Sequence, residues 1–363
     1  MERSLIGILG ASGKVGQLVC DYLVRNTGYI VKAGYRKTIP FLFNGRLRWQ
    51  FVDIQDKQKL FEFCRDCKII INCIGSSRNI NLNLAFMAHE VGAIYIDTYG
   101  TGKLKKELVN RDIVNSGCYI LGAGVYPGLT GIAMNYLVKK YPSIKKWKGM
   151  AGEPIGAGAA EDLLYSCLYG FGIENAYWKH GQIKVPKRKE IEEIYIPQLQ
   201  KTKNIALFLP DEILQIAKEN DLETIRWYNI LPNKEHMAIM KKAYQKLLQR
   251  NDIATEIQEF EEITRKSTEH WNIISFNSDD AEVGQILVKL EISNTSAYKM
   301  TGIVAALLAI RSAQTKRKSG IWNAYETIQM QYVFEKLQEE GVFIKETQEV
   351  SAVYEESEET GIL

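Results

Sequence analysis

The chain runs from an apolar strand into three closely spaced glycines and from them into a helix, and this junction restricts the fold more than any other feature. Ser4–Leu9 is short and apolar, "GASGKVGQ" follows, and Val15–Val24 has the apolar spacing of a helix facing a core. Gly10, Gly13 and Gly16 thus stand as G-x-x-G-x-x-G between strand and helix, a variant of the G-x-G-x-x-G spacing. Three positions meet three needs: a tight turn, bare backbone against a pyrophosphate, and close packing of helix on strand. The amides of the helix start, around Ser12, Gly13, Lys14 and Val15, lack intrahelical acceptors and are suited to phosphate oxygens.

The sequence around the junction continues the pattern. Tyr29–Tyr35, Trp49–Val52, Lys68–Ile74, Ala93–Asp97 and Cys118–Ala123 read as strands, with helices over Leu82–Val91 and Lys103–Asn115. Lys68–Ile74 is apolar almost throughout, as in a parallel strand buried on both faces. The alternation predicts an α/β, Rossmann-type doubly wound parallel sheet. Past Pro142 the regularity changes: strands are expected at Trp147–Gly152, Ile191–Ile196, Thr224–Ile230 and Glu282–Ile292, with helices at Pro210–Glu219 and His236–Gln249. That pattern predicts a second, α+β domain built on a mainly antiparallel sheet. Ala297–Ala313 and Ala324–Glu339 read as helices returning to the first domain, and the last residues as a polar tail. The expected segments are 1–140, 141–295, 296–350 and 351–363, and a chain of 363 residues exceeds the roughly 250–300 that one core holds.

A net charge of +3 without a long basic block gives no footprint for nucleic acid. The longest apolar stretch, around Met300–Ile310, falls short of the roughly 20 residues that cross a bilayer, and Leu5–Leu9 leads into glycines rather than a leader cleavage site. A cytoplasmic protein without a membrane partner is expected. Of six cysteines only Cys64 and Cys67 form C-x-x-C, and with no second pair no metal site is expected.

The end of the second strand discriminates between cofactors. An NAD site places a carboxylate there for the ribose 2′-hydroxyl, whereas a 2′-phosphate favours arginine. The sequence reads "AGYRK", with no acid between Asp21 and Asp53, so Arg36 and Lys37 point to NADPH. Asp53 and Ile54 after the third strand, and Gly75, Ser76 and Ser77 after the fourth, lie at strand carboxyl ends where ligands bind in open α/β sheets.

Four further stretches, "YIDTYG" (95–100), "LGAGVYPGLTGIAMNYL" (121–137), "GAAEDLLYSCLYGFG" (158–172) and "SAYKMTGIVAALLA" (296–309), together resemble the saccharopine dehydrogenase-like family of reductases. The resemblance covers most of the chain, and its most specific element is G-x-x-P-G at Gly124–Gly128. It implies an NADP-binding Rossmann domain, a central substrate domain carrying a homodimer contact, and reduction of a C=N bond in an amino-acid-derived small molecule. Some members resemble imine or thiazoline reductases of natural-product pathways, acting on free or carrier-bound substrates; others make opine- or saccharopine-like acids. Gly122, Gly124 and Gly128 allow backbone to approach a ligand, and the helix start beyond Pro127 suits an anionic substrate group. The side chains that hold several substrate carboxylates in the lysine-specific enzymes have no visible counterpart here.

Reduction of C=N requires a proton donor beside the nicotinamide. Asp97 and Tyr99 past one strand, Tyr126 in the G-x-x-P-G corner and Tyr298 at the start of a returning helix are the candidates, and Glu161 and Asp162 either cap a helix or face the cleft. Two rival readings stand beside this one. A short-chain-type carbonyl reductase would use a Tyr-x-x-x-Lys pair, matched by Tyr136 with Lys140 and by Tyr141 with Lys145. A nucleotide sensor would bind NADP without catalysis.

Overall fold

The computed structural model describes residues 5–40, 45–74, 80–99, 102–111, 113–154, 160, 163–164, 171–267, 269–279 and 286–350. Gly75, Ser76, Ser77, Glu161, Asp162 and the tail 351–363 lie outside the described residues.

The first domain is a parallel sheet of β1 (Leu5–Leu9), β2 (Ile30–Tyr35), β3 (Leu47–Phe51), β4 (Ile69–Asn72), β5 (Ile94–Asp97), β6 (Cys118–Leu121) and β16 (Gly320–Asn323), ordered β16-β6-β5-β4-β1-β2-β3. This is the doubly wound order with a seventh strand added on the β6 edge. Its strands are apolar because both faces are covered: Ile69 and Ile71 join one core cluster and Ile70 the other. Helices α1 (Lys14–Asn26), α5 (Leu129–Lys140) and α9 (Ala297–Gln314) supply the first cluster, and α2 (Lys57–Cys64), α3 (Ile80–Glu90) and α4 (Gly102–Asn110) the second. Each fully buried Ile or Leu contributes about 1.5–3 kcal/mol. α9 returns to the first domain so closely that a Cβ on Gly302 would sit 2.7 Å from Leu18 Cβ of α1.

The second sheet has ten strands and is mixed, with one parallel pair, β7 (Lys146–Gly152) with β13 (Thr224–Ile230), among antiparallel neighbours that include β14 (Asn272–Ser278) and β15 (Ile286–Asn294). Trp147, Ala151, Trp227, Ile274 and Phe276 on one face share a core cluster with α5, α9 and α6 (Asp211–Glu219), so apolar packing runs unbroken between the sheets.

In the third segment two elements differ from expectation. The helix expected over Ala324–Glu339 is a 3-10 turn, Ala324–Glu326, and a separate helix, α10 (Met330–Glu339). The Asn323–Glu326 capping box closes the turn and strand β16 precedes it. The third segment also ends in a strand, β17 (Phe343–Val350), paired antiparallel with β15. Its alternating polar residues belong to a half-exposed edge strand, which is weakly distinguished from a polar tail.

Candidate active site

The three glycines serve distinct ends. Gly10 has φ +79°, and a Cβ there would meet Cys73 backbone at 3.0 Å, so the turn out of β1 requires glycine. At Gly16 a Cβ would lie 2.2 Å from Gly10 O and 2.7 Å from Ala11 Cα, which seats α1 on the loop. Gly13 is different: its φ is −78°, it is the N-cap of α1 with no side-chain cap, and a Cβ would meet only Gly10 O at 3.3 Å. The fold leaves the space over Gly13 open, as a pyrophosphate seated on the helix start needs. Ala11 N donates to Gly34 O and Gln17 Nε2 to Ser12 O, which fixes the loop holding Ser12, Lys14 and Val15.

Along the same sheet edge, Arg36 and Lys37 follow β2 and are exposed, with no ion pair recorded for either among the described residues. Asp53 is half-buried after β3, its Oδ1 accepting from Gln55 N at 3.0 Å, and Ile54 packs into the second cluster. β1 and β4, between which the strand order reverses, point their carboxyl ends at the crevice. These groups fit a phosphorylated dinucleotide.

The carboxyl end of β5 is closed by a buried polar network. Tyr95 Oη donates to Asp97 Oδ2 at 2.6 Å, Asn72 Nδ2 donates to the same oxygen at 3.1 Å, and Tyr99 N donates to Asp97 Oδ1 at 2.9 Å. Asp97 is fully buried. Its carboxyl group holds the ends of β4 and β5 rather than facing the cleft, and Tyr99 turns to pack edge-to-face on Phe171.

A cleft of about 1220 Å³ opens between this sheet edge and the second domain. Lys14 of the glycine loop, Tyr126 and Pro127 of the corner, Glu153 after β7 and Tyr298 of α9 all line it. Lys14 Nζ stands 4.9 Å from the Tyr298 ring centroid. The Tyr126 hydroxyl donates to Asn272 Oδ1 at 2.9 Å, and Asn272 Nδ2 donates to Glu153 Oε2 at 3.2 Å. The Tyr126 hydroxyl also lies within hydrogen-bond distance of Gly152 O at 3.3 Å and Ile273 O at 3.2 Å, so its acceptors all belong to the second domain. Among the described residues Glu153 has no other hydrogen-bond partner, and burial raises its carboxyl to about 7 against the lowering effect of Asn272. Burial, with Glu153 and Glu261 nearby, raises the Tyr298 hydroxyl to about 12. Glu153 was not a candidate in the sequence reading. It belongs to no motif, and its only signal was an acid directly beyond a strand, in "AGEP".

The G-x-x-P-G corner is occupied differently from expectation. A Cβ on Gly124 would meet Thr98 O at 2.5 Å, so the close approach there is made by the protein's own backbone. The start of α5 is taken too: Glu212 accepts from Gly128 N at 3.0 Å and from Thr130 Oγ1, and burial raises its carboxyl to about 7. An internal carboxyl group therefore fills the place expected for an anionic substrate group. Tyr136 and Lys140 do form a pair, Nζ donating to Oη at 2.8 Å, but both bind Glu346 of β17 and neither lines the cleft. Tyr141 also bonds to Glu346, while Lys145 Nζ donates to Asn220 O at 3.1 Å.

Residues 6–111 match the family model described as the saccharopine dehydrogenase NADP binding domain. Over nearly its whole length the chain is similar in fold to apo saccharopine dehydrogenase (L-Glu forming) from Saccharomyces cerevisiae, with 13% identity, 96% of this chain and 100% of that chain covered, and a TM-score of 0.64. A glucuronic acid dehydrogenase from Chromohalobacter salexigens is similar over 27% of this chain and 41% of its own, with 19% identity and a TM-score of 0.24, too low to carry an argument. No curated protein sequence matches the chain. The glycine loop, the doubly wound order and the matched model agree that the first part of the chain, residues 6–111, is similar to the saccharopine dehydrogenase NADP binding domain.

Proposed function

We propose that the protein is an NADPH-dependent reductase of a C=N bond and that Glu153 is its proton donor. When bound, NADPH supplies a hydride to the carbon of that bond. The observation that carries the reading is the position of Glu153, a desolvated carboxyl group in the cleft that Lys14 of the cofactor loop also lines, oriented by Asn272 and Tyr126. An acid with its pKa near working pH can both give a proton and recover it from water. Glu153 Oε–H breaks as the substrate N–H forms, the π pair of C=N becomes the amine lone pair, and the carboxylate is left beside the nitrogen. Lys14 and the open backbone at Gly13 bind the cofactor phosphates, Arg36 and Lys37 bind the 2′-phosphate, and Asp97 and Asn72 hold the loops beside the nicotinamide.

Glu153→Gln keeps size and hydrogen-bonding capacity and removes the proton. NADPH oxidation with cyclic imines is expected to fall by roughly 10²–10⁴-fold in kcat, with the NADPH Kd unchanged. In the parent enzyme kcat is expected to decline above pH about 7, where the acid is lost. A Glu153→Gln enzyme with parental kcat would remove Glu153 from the mechanism. Wild-type protein that binds NADPH but reduces no imine would be a sensor.

A further inference from the structure

The charges and walls of the cleft describe its substrate, on the basis of the reductase reading above. Phe171, Phe208, Trp227, Met237, Met240 and Trp271 line it. Phe171 stacks edge-to-face on Phe208 at 5.9 Å and on Tyr99 at 5.9 Å, so an aromatic wall runs from the nicotinamide side into the second sheet. The lining carries the carboxyl groups of Glu153, Glu174, Glu190, Glu212 and Glu269 against Lys14, Lys189 and Arg265, with His270 exposed.

The basic groups have assignments already. Lys189 pairs with Glu174 at 3.8 Å, Arg265 with Glu261 at 3.8 Å, and Lys14 lies on the Tyr298 ring at the cofactor helix. A carboxylate brought out of water needs a cation or several donors, and forked arginine is the usual recogniser. Among the described basic groups of the lining only His270 has no such assignment, and it is exposed to solvent. Of the acids, Glu269 is held by Lys201 and Lys203, Glu190 by Arg226, and Glu212 by the start of α5. Glu153 has only the Asn272 amide among the described residues.

We infer that the cleft takes a bulky apolar imine, with an aromatic or extended aliphatic substituent on the aromatic wall and the nitrogen, cationic once Glu153 has protonated it, against the Glu153 carboxylate, and that it rejects polycarboxylate imines. Proton transfer from Glu153 to a neutral imine produces the same ion pair that binding of an iminium would, and aromatic faces add attraction for the cation.

The test uses the full-length protein with saturating NADPH at pH 8. The substrates are 3,4-dihydroisoquinoline and the imine formed from pyruvate and glutamate; the binding probes are N,N-dimethyl-tetrahydroisoquinolinium, a permanent cation that cannot be reduced, and tricarballylate. Dihydroisoquinoline is expected to have kcat/KM at least tenfold above the pyruvate–glutamate imine. The quaternary cation is expected to bind by calorimetry, tricarballylate is not, and both Phe208→Ala and Glu153→Gln should weaken the cation at least tenfold. Preferred turnover of the tricarboxylate imine overturns the inference and leaves the reductase reading intact. Binding of the cation without turnover of either imine upholds the cleft assignment and overturns the reductase reading. Failure to bind the cation overturns the inference.

Discussion

Gly13→Ala and Gly16→Ala separate cofactor recognition from folding, because the two glycines face different neighbours. At Gly16 an added Cβ falls 2.2 Å from Gly10 O and 2.8 Å from Gly10 C, both backbone, so α1 must shift off the loop. Helix propensity favours alanine by about 1 kcal/mol, but overpacking of this kind costs about 1–3 kcal/mol or more, and the balance is destabilising. At Gly13 the backbone suits any L-residue, the single neighbour is Gly10 O at 3.3 Å, and loss of glycine at an N-cap costs about 1 kcal/mol or less. That corresponds to roughly 2–4 °C in a domain of 150–250 residues, and less in a larger one. The same Cβ stands where a phosphate would approach the helix amides, and losing one hydrogen bond to a charged group costs about 1.5–3 kcal/mol, or roughly 10- to 150-fold in affinity. Thermal unfolding and calorimetric titration with NADPH read the two effects apart. Gly13→Ala should melt near the parent and bind NADPH at least tenfold more weakly, while Gly16→Ala should lose several degrees. Parental NADPH affinity in Gly13→Ala would falsify the phosphate site.

Three further outcomes follow from the geometry. Arg36→Ala should weaken NADPH roughly 10- to 150-fold while leaving NADH unchanged, measured by parallel titration; equal losses for both would place Arg36 away from the 2′-phosphate. Asp97→Asn turns one acceptor of the buried network toward the donors of Tyr95 and Asn72, at a cost of about 1–3 kcal/mol, so thermal unfolding should fall clearly, and an unchanged Tm would refute the structural role. Glu153 and Glu212 each rise from 4.5 to about 7, so the folded state keeps protons that the unfolded chain releases. Stability therefore falls as pH rises from about 4.5 to 7 and levels off above, by at most about 3 kcal/mol for each group. Glu269, lowered to about 2, contributes stability that is complete above about 4.5 and lies outside that window. Unfolding of Glu153→Gln between pH 5 and 7.5 should show a shallower slope than the parent, and an equal slope would refute the raised carboxyl.

How far the sequence discloses the molecule depends on whether a function is written in backbone or in assembly. The turn at Gly10 and the helix seat at Gly16 need conformations and clearances that glycine supplies, so the strand–loop–helix geometry is readable from spacing alone, as is β4, whose run of isoleucines reflects cover on both faces. Strand β12 (Lys201–Pro210) was not legible, because its first residues are polar at an exposed end and only Ile205–Pro210 enters the core. The proposed proton donor was less legible still. Tyr99, Tyr126 and Tyr298 carry acidic hydrogens by residue type, which made them visible. Glu153 acquires its chemistry from desolvation among Asn272 of β14, Tyr126 of the corner and Tyr298 of α9, partners 27 to 145 residues away in the chain, by numbering, and none sharing a motif with it. The unbroken packing from the first sheet through α5 and α9 to Trp147 and Trp227 fixes those partners relative to the glycine loop. On the proposed reading the core itself holds this acid beside the glycine loop, so a cavity cut into the α1–α9 contact should lower kcat for imine reduction without touching a residue of the cleft.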